Sequence, residues 1–188
     1  MIDVRVGSAT DGRVPISFAE RSLSARPFHW LALVAVALAA LLADQVTKQI
    51  VVSRLSFGES VDVVGPLSIH HVRNSGIAFG LFSTWASVVT VLTALAVAWM
   101  VGYFARSGAG HPVLPVALGF LIGGSAGNLV DRLRLGHVTD FLDLRYWPAF
   151  NLADTFIVAG VAILLGALIS AERQPLAGKP RRGLLERS

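Results

Sequence analysis

The chain contains no cysteine. Disulfides, thiol nucleophiles and thiolate metal sites are therefore excluded, and redox chemistry says nothing about compartment. Charge is scarce as well: charged residues make up 15% of the 188 positions, against 54% hydrophobic ones. A soluble domain of this length carries more charge, so the composition points to a single domain of helices packed on one another in lipid. The sequence also lacks internal repeats, low-complexity runs and any H-E-x-x-H pattern. His70 and His71 are adjacent, so on a strand their side chains point to opposite faces and form no ligand pair. No metal site is expected.

The formal net charge is +4, and its distribution is more informative than its size. Arg5, Arg13, Arg21 and Arg26 precede the first apolar run, and Arg173, Lys179, Arg181, Arg182 and Arg187 follow the last. Nine of the sixteen basic residues thus lie in tails beside apolar runs, where they are topology signals facing anionic lipid rather than a nucleic-acid footprint.

Four segments are apolar and long enough to cross a hydrocarbon core, which takes about 20 helical residues. They lie near residues 28–50, 85–104, 112–133 and 152–170. The first could be mistaken for a cleaved signal peptide. However, no clean A-x-A site follows it, and its pattern continues through Asp44, Gln45 and Lys48, as expected of an uncleaved helix. Four crossings put both termini on one side, and the basic tails assign that side to the cytoplasm. The expected organisation is a tail over 1–27, a membrane domain over 28–171 and a second tail over 172–188. Outside the membrane, residues 53–84 include a β-branched stretch interrupted by Gly65 and Pro66, which predicts two short strands around a turn at the membrane surface. Residues 134–151 form a second outer segment, read as a loop. The fold class is thus all-α membrane protein, with four transmembrane helices and a small extramembrane β-cradle.

Ionisable residues inside a membrane cost a few kcal/mol each on insertion scales, so each one present there calls for a physical reason. Asp44 and Lys48 stand four apart on one helical face, acid before base, and structural pairing accounts for them better than direct catalysis. Asn128, Asp131 and Arg132 share a face at the end of the third segment, where Arg132 can hold a carboxylate bidentately. Gly123, Gly124 and Gly127 beside them allow close helix approach. Asn74 and Gly76 sit in a polar, glycine-containing turn. Finally, Asp140, Asp143 and Asp154 lie among apolar neighbours near one interface, with Asn151 placed to cap the fourth helix. Two carboxyls sharing a water need different protonation states, and low dielectric and mutual repulsion push one pKa upward. Asp154 can be one of the pair. Spacing leaves Asp140 and Asp143 equal as its partner.

Taken together, these residues resemble the type II (lipoprotein) signal peptidases of bacteria, small four-helix membrane aspartic proteases. The resemblance is carried by D-Q-x-x-K at Asp44, Gln45 and Lys48, and by N-x-G-x-A-F at Asn74, Gly76, Ala78 and Phe79. It continues with G-N-x-x-D-R at Gly127, Asn128, Asp131 and Arg132, G-x-V-x-D-F at Gly136, Val138, Asp140 and Phe141, and N-x-A-D at Asn151, Ala153 and Asp154. Ile77 departs from the pattern, since many members carry alanine there. The resemblance implies that Asp140 and Asp154 form the catalytic dyad, which separates Asp140 from Asp143. It further implies that Asn74, Asn128, Arg132 and Asn151 line or brace the substrate pocket, and that Asp44, Lys48 and Asp131 hold it together, with Gly76 and Ala153 as supporting motif positions.

The function implied is removal of the signal peptide from prolipoproteins bearing a diacylglyceryl-modified cysteine, with no cofactor and no covalent intermediate. The enzyme would act as a monomer in the bacterial inner membrane, with membrane lipids as its surroundings and its active site near the outer face. Two rivals remain. Ser125 and His137 could form an intramembrane serine protease. The same carboxylates could also serve a non-enzymatic transporter or scaffold.

Overall fold

The computed structural model describes residues 27–75, 83–107 and 112–172. The basic tails lie outside the described residues, as do Gly76, Ile77, Ala78, Phe79 and the link 108–111. The helices are α1 (Pro27–Arg54), α2 (Ser83–Ser107), α3 (Leu114–Leu135) and α4 (Leu152–Glu172). Each contains a stretch long and apolar enough to cross a membrane. The strands are β1 (Ser60–Val64), β2 (Leu67–Asn74), β3 (Val138–Leu144) and β4 (Trp147–Phe150).

Helix α3 is the hub, with α1, α2 and α4 all packing on it. At the end far from the sheet, Leu33, Met100, Phe104, Leu118 and Ile122 form an apolar cluster, and Trp30 meets the Phe104 ring edge-on at 4.9 Å between centroids. At the other end α3 is held by small residues and polar bonds. A Cβ at Gly124 would come within 2.5 Å of the Ala153 carbonyl oxygen, so glycine allows the start of α4 to approach α3 directly. That approach sets the position of every side chain at the start of α4.

The expected hairpin is present: β1 pairs antiparallel with β2, Val61 opposite Ile69, around the turn at Gly65 and Pro66. The second outer segment corrects the sequence reading. Residues 138–150 form another hairpin rather than a loop, and the sheet runs β1-β2-β3-β4. Strand β2 pairs antiparallel with β3, with Val72 opposite Asp140 and Asn74 opposite Val138. The partner of β3 thus comes from more than sixty residues upstream, a pairing that local pattern does not reveal. Its consequence is that Asp140 is held by a ladder of backbone bonds and not by a flexible connection.

Candidate active site

Four elements converge at the junction of the sheet and the helices. Asn151 follows β4 and caps α4: its side-chain oxygen accepts from the Asp154 N–H at 3.0 Å, and the Asn151 N–H donates to Asp154 Oδ2 at 3.3 Å. This reciprocal arrangement satisfies two backbone donors that a helix start leaves open, and it fixes the Asp154 rotamer. The Asn151 side-chain amide also donates to Asp140 Oδ1 at 2.7 Å and to Asn128 Oδ1 at 3.1 Å. Asn151 therefore ties both carboxylates into one network, that of Asp140 through its side-chain amide and that of Asp154 through its backbone N–H.

Asp140 is 1% exposed, and its second oxygen accepts from Asn74 Nδ2 at 2.8 Å. Burial pushes its carboxyl above the ordinary range; the bonds from Asn74 and Asn151 oppose that shift, and the charge of Asp154 adds to it. Asp154 is half-buried and accepts from Asn128 Nδ2 at 2.8 Å. Strand geometry separates the two candidates that spacing left equal. Asp140 and Asp143 are an odd number of residues apart on β3, and successive strand side chains alternate faces. Asp140 faces the helices, whereas Asp143 is part-exposed and binds His70 Nδ1 at 2.9 Å.

Beneath the carboxylates lies a buried ionic cluster. Lys48 Nζ stands 2.8 Å from Asp44 and 2.9 Å from Asp131, and it donates to Asn128 Oδ1 at 3.0 Å. Asp44 Oδ1 accepts from the Ala153 N–H at 2.9 Å, tying α1 to the first turn of α4. Asp131 Oδ2 accepts from the Thr139 N–H at 3.1 Å, tying α3 to the strand residue beside Asp140. A Cβ on Gly127 would sit 2.5 Å from Asp44 Oδ2, so glycine is needed for that carboxylate to fit. Charges buried this deeply are stable only when paired and hydrogen-bonded, which this cluster achieves.

Most of the sequence-derived site residues meet here: Asp44, Lys48, Asn74, Asn128, Asp131, Asn151, Ala153, Asp140 and Asp154. Gly76 lies outside the described residues. Arg132 differs from expectation, because among the described residues it holds no carboxylate: Asp131 is taken by Lys48, and Arg132 stays half-buried without an ion pair. Gln45 carries more than the sequence reading gave it. Its amide nitrogen lies 3.2 Å from the Gly127 carbonyl, 3.0 Å from Asp131 and 3.2 Å from Asp44. Its place in the D-Q-x-x-K stretch was the only signal, since i+1 on a helix does not share a face with i.

The serine-protease rival finds no geometry. The His137 Nδ1–H donates to the Leu135 carbonyl at 3.0 Å, and no hydrogen bond joins His137 to Ser125 among the described residues. His70 and His71 are likewise engaged apart, the first with Asp143 and the second with the Leu55 carbonyl at 3.0 Å.

A polar, amide-braced carboxylate pair where a four-stranded sheet meets four membrane-spanning helices defines a polytopic membrane protein with a site at one end of its bundle. Comparison with known proteins makes the class specific: the family model described as Signal peptidase (SPase) II matches residues 36–170, and the chain belongs to that family. A lipoprotein signal peptidase of Pelotomaculum thermopropionicum is 46% identical over 132 residues, covering 69% of this chain and 86% of the relative. One from Symbiobacterium thermophilum is 37% identical over 150 residues, covering 77% of this chain and 98% of the relative. Two bacterial membrane enzymes solved by the in meso method share the fold. The first, at 1.9 Å resolution, has a TM-score of 0.68 and 31% identity, covering 73% of this chain and 92% of that one. The second, at 2.3 Å, has a TM-score of 0.72 and 27% identity, covering 84% and 99%.

Proposed function

We propose that the chain is an aspartic endopeptidase that removes signal peptides from prolipoproteins, cutting just before a diacylglyceryl-modified cysteine. The observation that carries this reading is the joining of Asp140 and Asp154 through the single residue Asn151, whose side-chain amide binds the Asp140 carboxylate while its backbone N–H binds that of Asp154. In the reaction, an ionised carboxylate takes a proton from water as its oxygen attacks the scissile carbonyl carbon. The protonated partner donates to the carbonyl oxygen, and collapse of the tetrahedral adduct passes a proton to the departing cysteine nitrogen. The deeper burial of Asp140 favours it as the proton holder and the half-buried Asp154 as the base. No acyl-enzyme forms on this route.

Asn128 and Asn151 fix the two carboxylates, Asn74 braces Asp140 from the sheet, and the Lys48 cluster anchors the whole assembly. Arg132, half-buried and without an ion pair among the described residues, is available to the substrate at the rim. The basic tails face the cytoplasm in this reading, so the sheet and the site lie at the outer surface, where a lipid-anchored precursor presents its cleavage point.

The test is cleavage by the purified full-length protein of a synthetic precursor whose cysteine carries S-diacylglyceryl. The expected product begins at the lipidated cysteine, and the unlipidated peptide is left intact. Cleavage at another bond, or equal cleavage of both peptides, would overturn the reading.

A further inference from the structure

Each carboxylate of the pair follows a residue whose backbone N–H is held by an acid of the buried cluster. Ala153, before Asp154, donates to Asp44 Oδ1 at 2.9 Å, and Thr139, before Asp140, donates to Asp131 Oδ2 at 3.1 Å. Ala153 and Thr139 are 0% and 2% exposed, so neither N–H has bulk water as an alternative partner. The two acids are thus footings for the two carboxylates: where Asp131 turns, the start of β3 turns with it.

The two acids are not held alike. Asp44 is bound through both oxygens, Oδ1 by the Ala153 N–H and Oδ2 by Lys48. On Asp131, the Thr139 N–H and Lys48 Nζ both meet Oδ2, which lets the carboxylate swing about that atom unless something holds Oδ1. Gln45 Nε2 holds it at 3.0 Å, and the same nitrogen lies 3.2 Å from the Gly127 carbonyl, a backbone acceptor of α3. Lys48 cannot take over this bond, because its three hydrogens are committed to Asp44, Asp131 Oδ2 and Asn128. We infer that Gln45 is a positioning residue for the peptidase reaction, orienting Asp140 relative to Asp154 through Asp131 and the Thr139 N–H. Its own bonds go to Asp44, Asp131 and Gly127 rather than to either member of the pair. The inference rests on the reading of Asp140 and Asp154 as a catalytic pair.

The test is the pH profile of kcat for the full-length protein on the lipidated precursor. Two carboxylates that share a proton titrate in two steps, and the separation of the steps grows with their interaction. The active form carries one proton between them, so the rate is bell-shaped in pH and the bell is as wide as that separation. Gln45→Met keeps the length of the side chain and removes its donor, while Lys48 and Asp44 of α1 and Asp131 of α3 stay in place. It should lower kcat about tenfold, less than the hundredfold that a misplacement of about 1 Å costs, with KM little changed. The bell should also narrow, because a loosened Asp140 interacts less with Asp154. Gln45→Lys returns a donor within reach of Asp131 and should recover the wild-type width. A purely structural role predicts otherwise, since loss of folded protein scales the whole profile down without altering its width. Should Gln45→Met fail to fold, Gln45→Asn, one methylene too short to reach Asp131, carries the same expectation. A wild-type width in the variant lacking the donor, or equal narrowing in Gln45→Lys, overturns the inference and leaves the peptidase reading standing. Absence of cleavage by wild type, or a wild-type profile with a single limb, overturns that reading as well.

Discussion

Asn128 donates to Asp154 at 2.8 Å while its own carbonyl oxygen accepts from Lys48 at 3.0 Å. The lysine thereby fixes which way the Asn128 amide faces, and the amide fixes Asp154. Asn128→Ala should lower kcat by about a hundredfold, the cost of a small misplacement of a reacting group, with little change in KM. Asn128→Asp should be worse, because it sets a carboxylate against Asp154. Steady-state kinetics on the lipidated precursor separate these outcomes, and an unchanged kcat in Asn128→Ala would remove the residue from the site.

Lys48 pairs with two buried acids at once. Lys48→Met leaves Asp44 and Asp131 without their cation, and breaking a buried pair on one side costs about 3 to 5 kcal/mol. Pairing that change with Asp44→Asn should recover part of the loss. Thermal unfolding in detergent would show it as a lowered Tm, partly restored in the double variant. A wild-type Tm in Lys48→Met would show that the cluster contributes nothing to stability.

Asp140 gives a pH signature of defined sign. Its folded pKa is raised, chiefly by burial, above the unfolded value. Its contribution to stability is therefore fully present below the unfolded pKa of about 3.9 and is lost as pH rises through the folded value. Asn cannot titrate, so the Tm of Asp140→Asn minus that of wild type should increase with pH across that window and then level off. A flat difference would mean that burial imposes no such penalty.

The spans were legible because an apolar run long enough to cross a bilayer is longer than a buried helix of a small soluble domain requires. The pairing of Asp44 with Lys48 was legible because helical neighbours recur at fixed spacing. The second hairpin was not. Trp147, Pro148, Ala149 and Phe150 make a short strand interrupted by proline, and the strand that orders β3 is β2, far upstream. Taking that stretch as a loop is also what left Asp140 and Asp143 equal on spacing: on a strand their odd separation sends them to opposite faces. Asn74 reaches Asp140 only through the same long-range pairing.

If Asp140 and Asp154 act as one unit, neither carboxylate alone can sustain the reaction. The decisive measurement is cleavage of the diacylglyceryl-modified precursor by wild type, Asp140→Asn, Asp154→Asn and Asp143→Asn. The first two variants should lose activity while remaining folded. Asp143→Asn, whose parent carboxylate binds His70 on the other face of the strand, should cleave at near the wild-type rate. Substantial cleavage by Asp140→Asn or by Asp154→Asn would mean that the two carboxylates do not work as a pair.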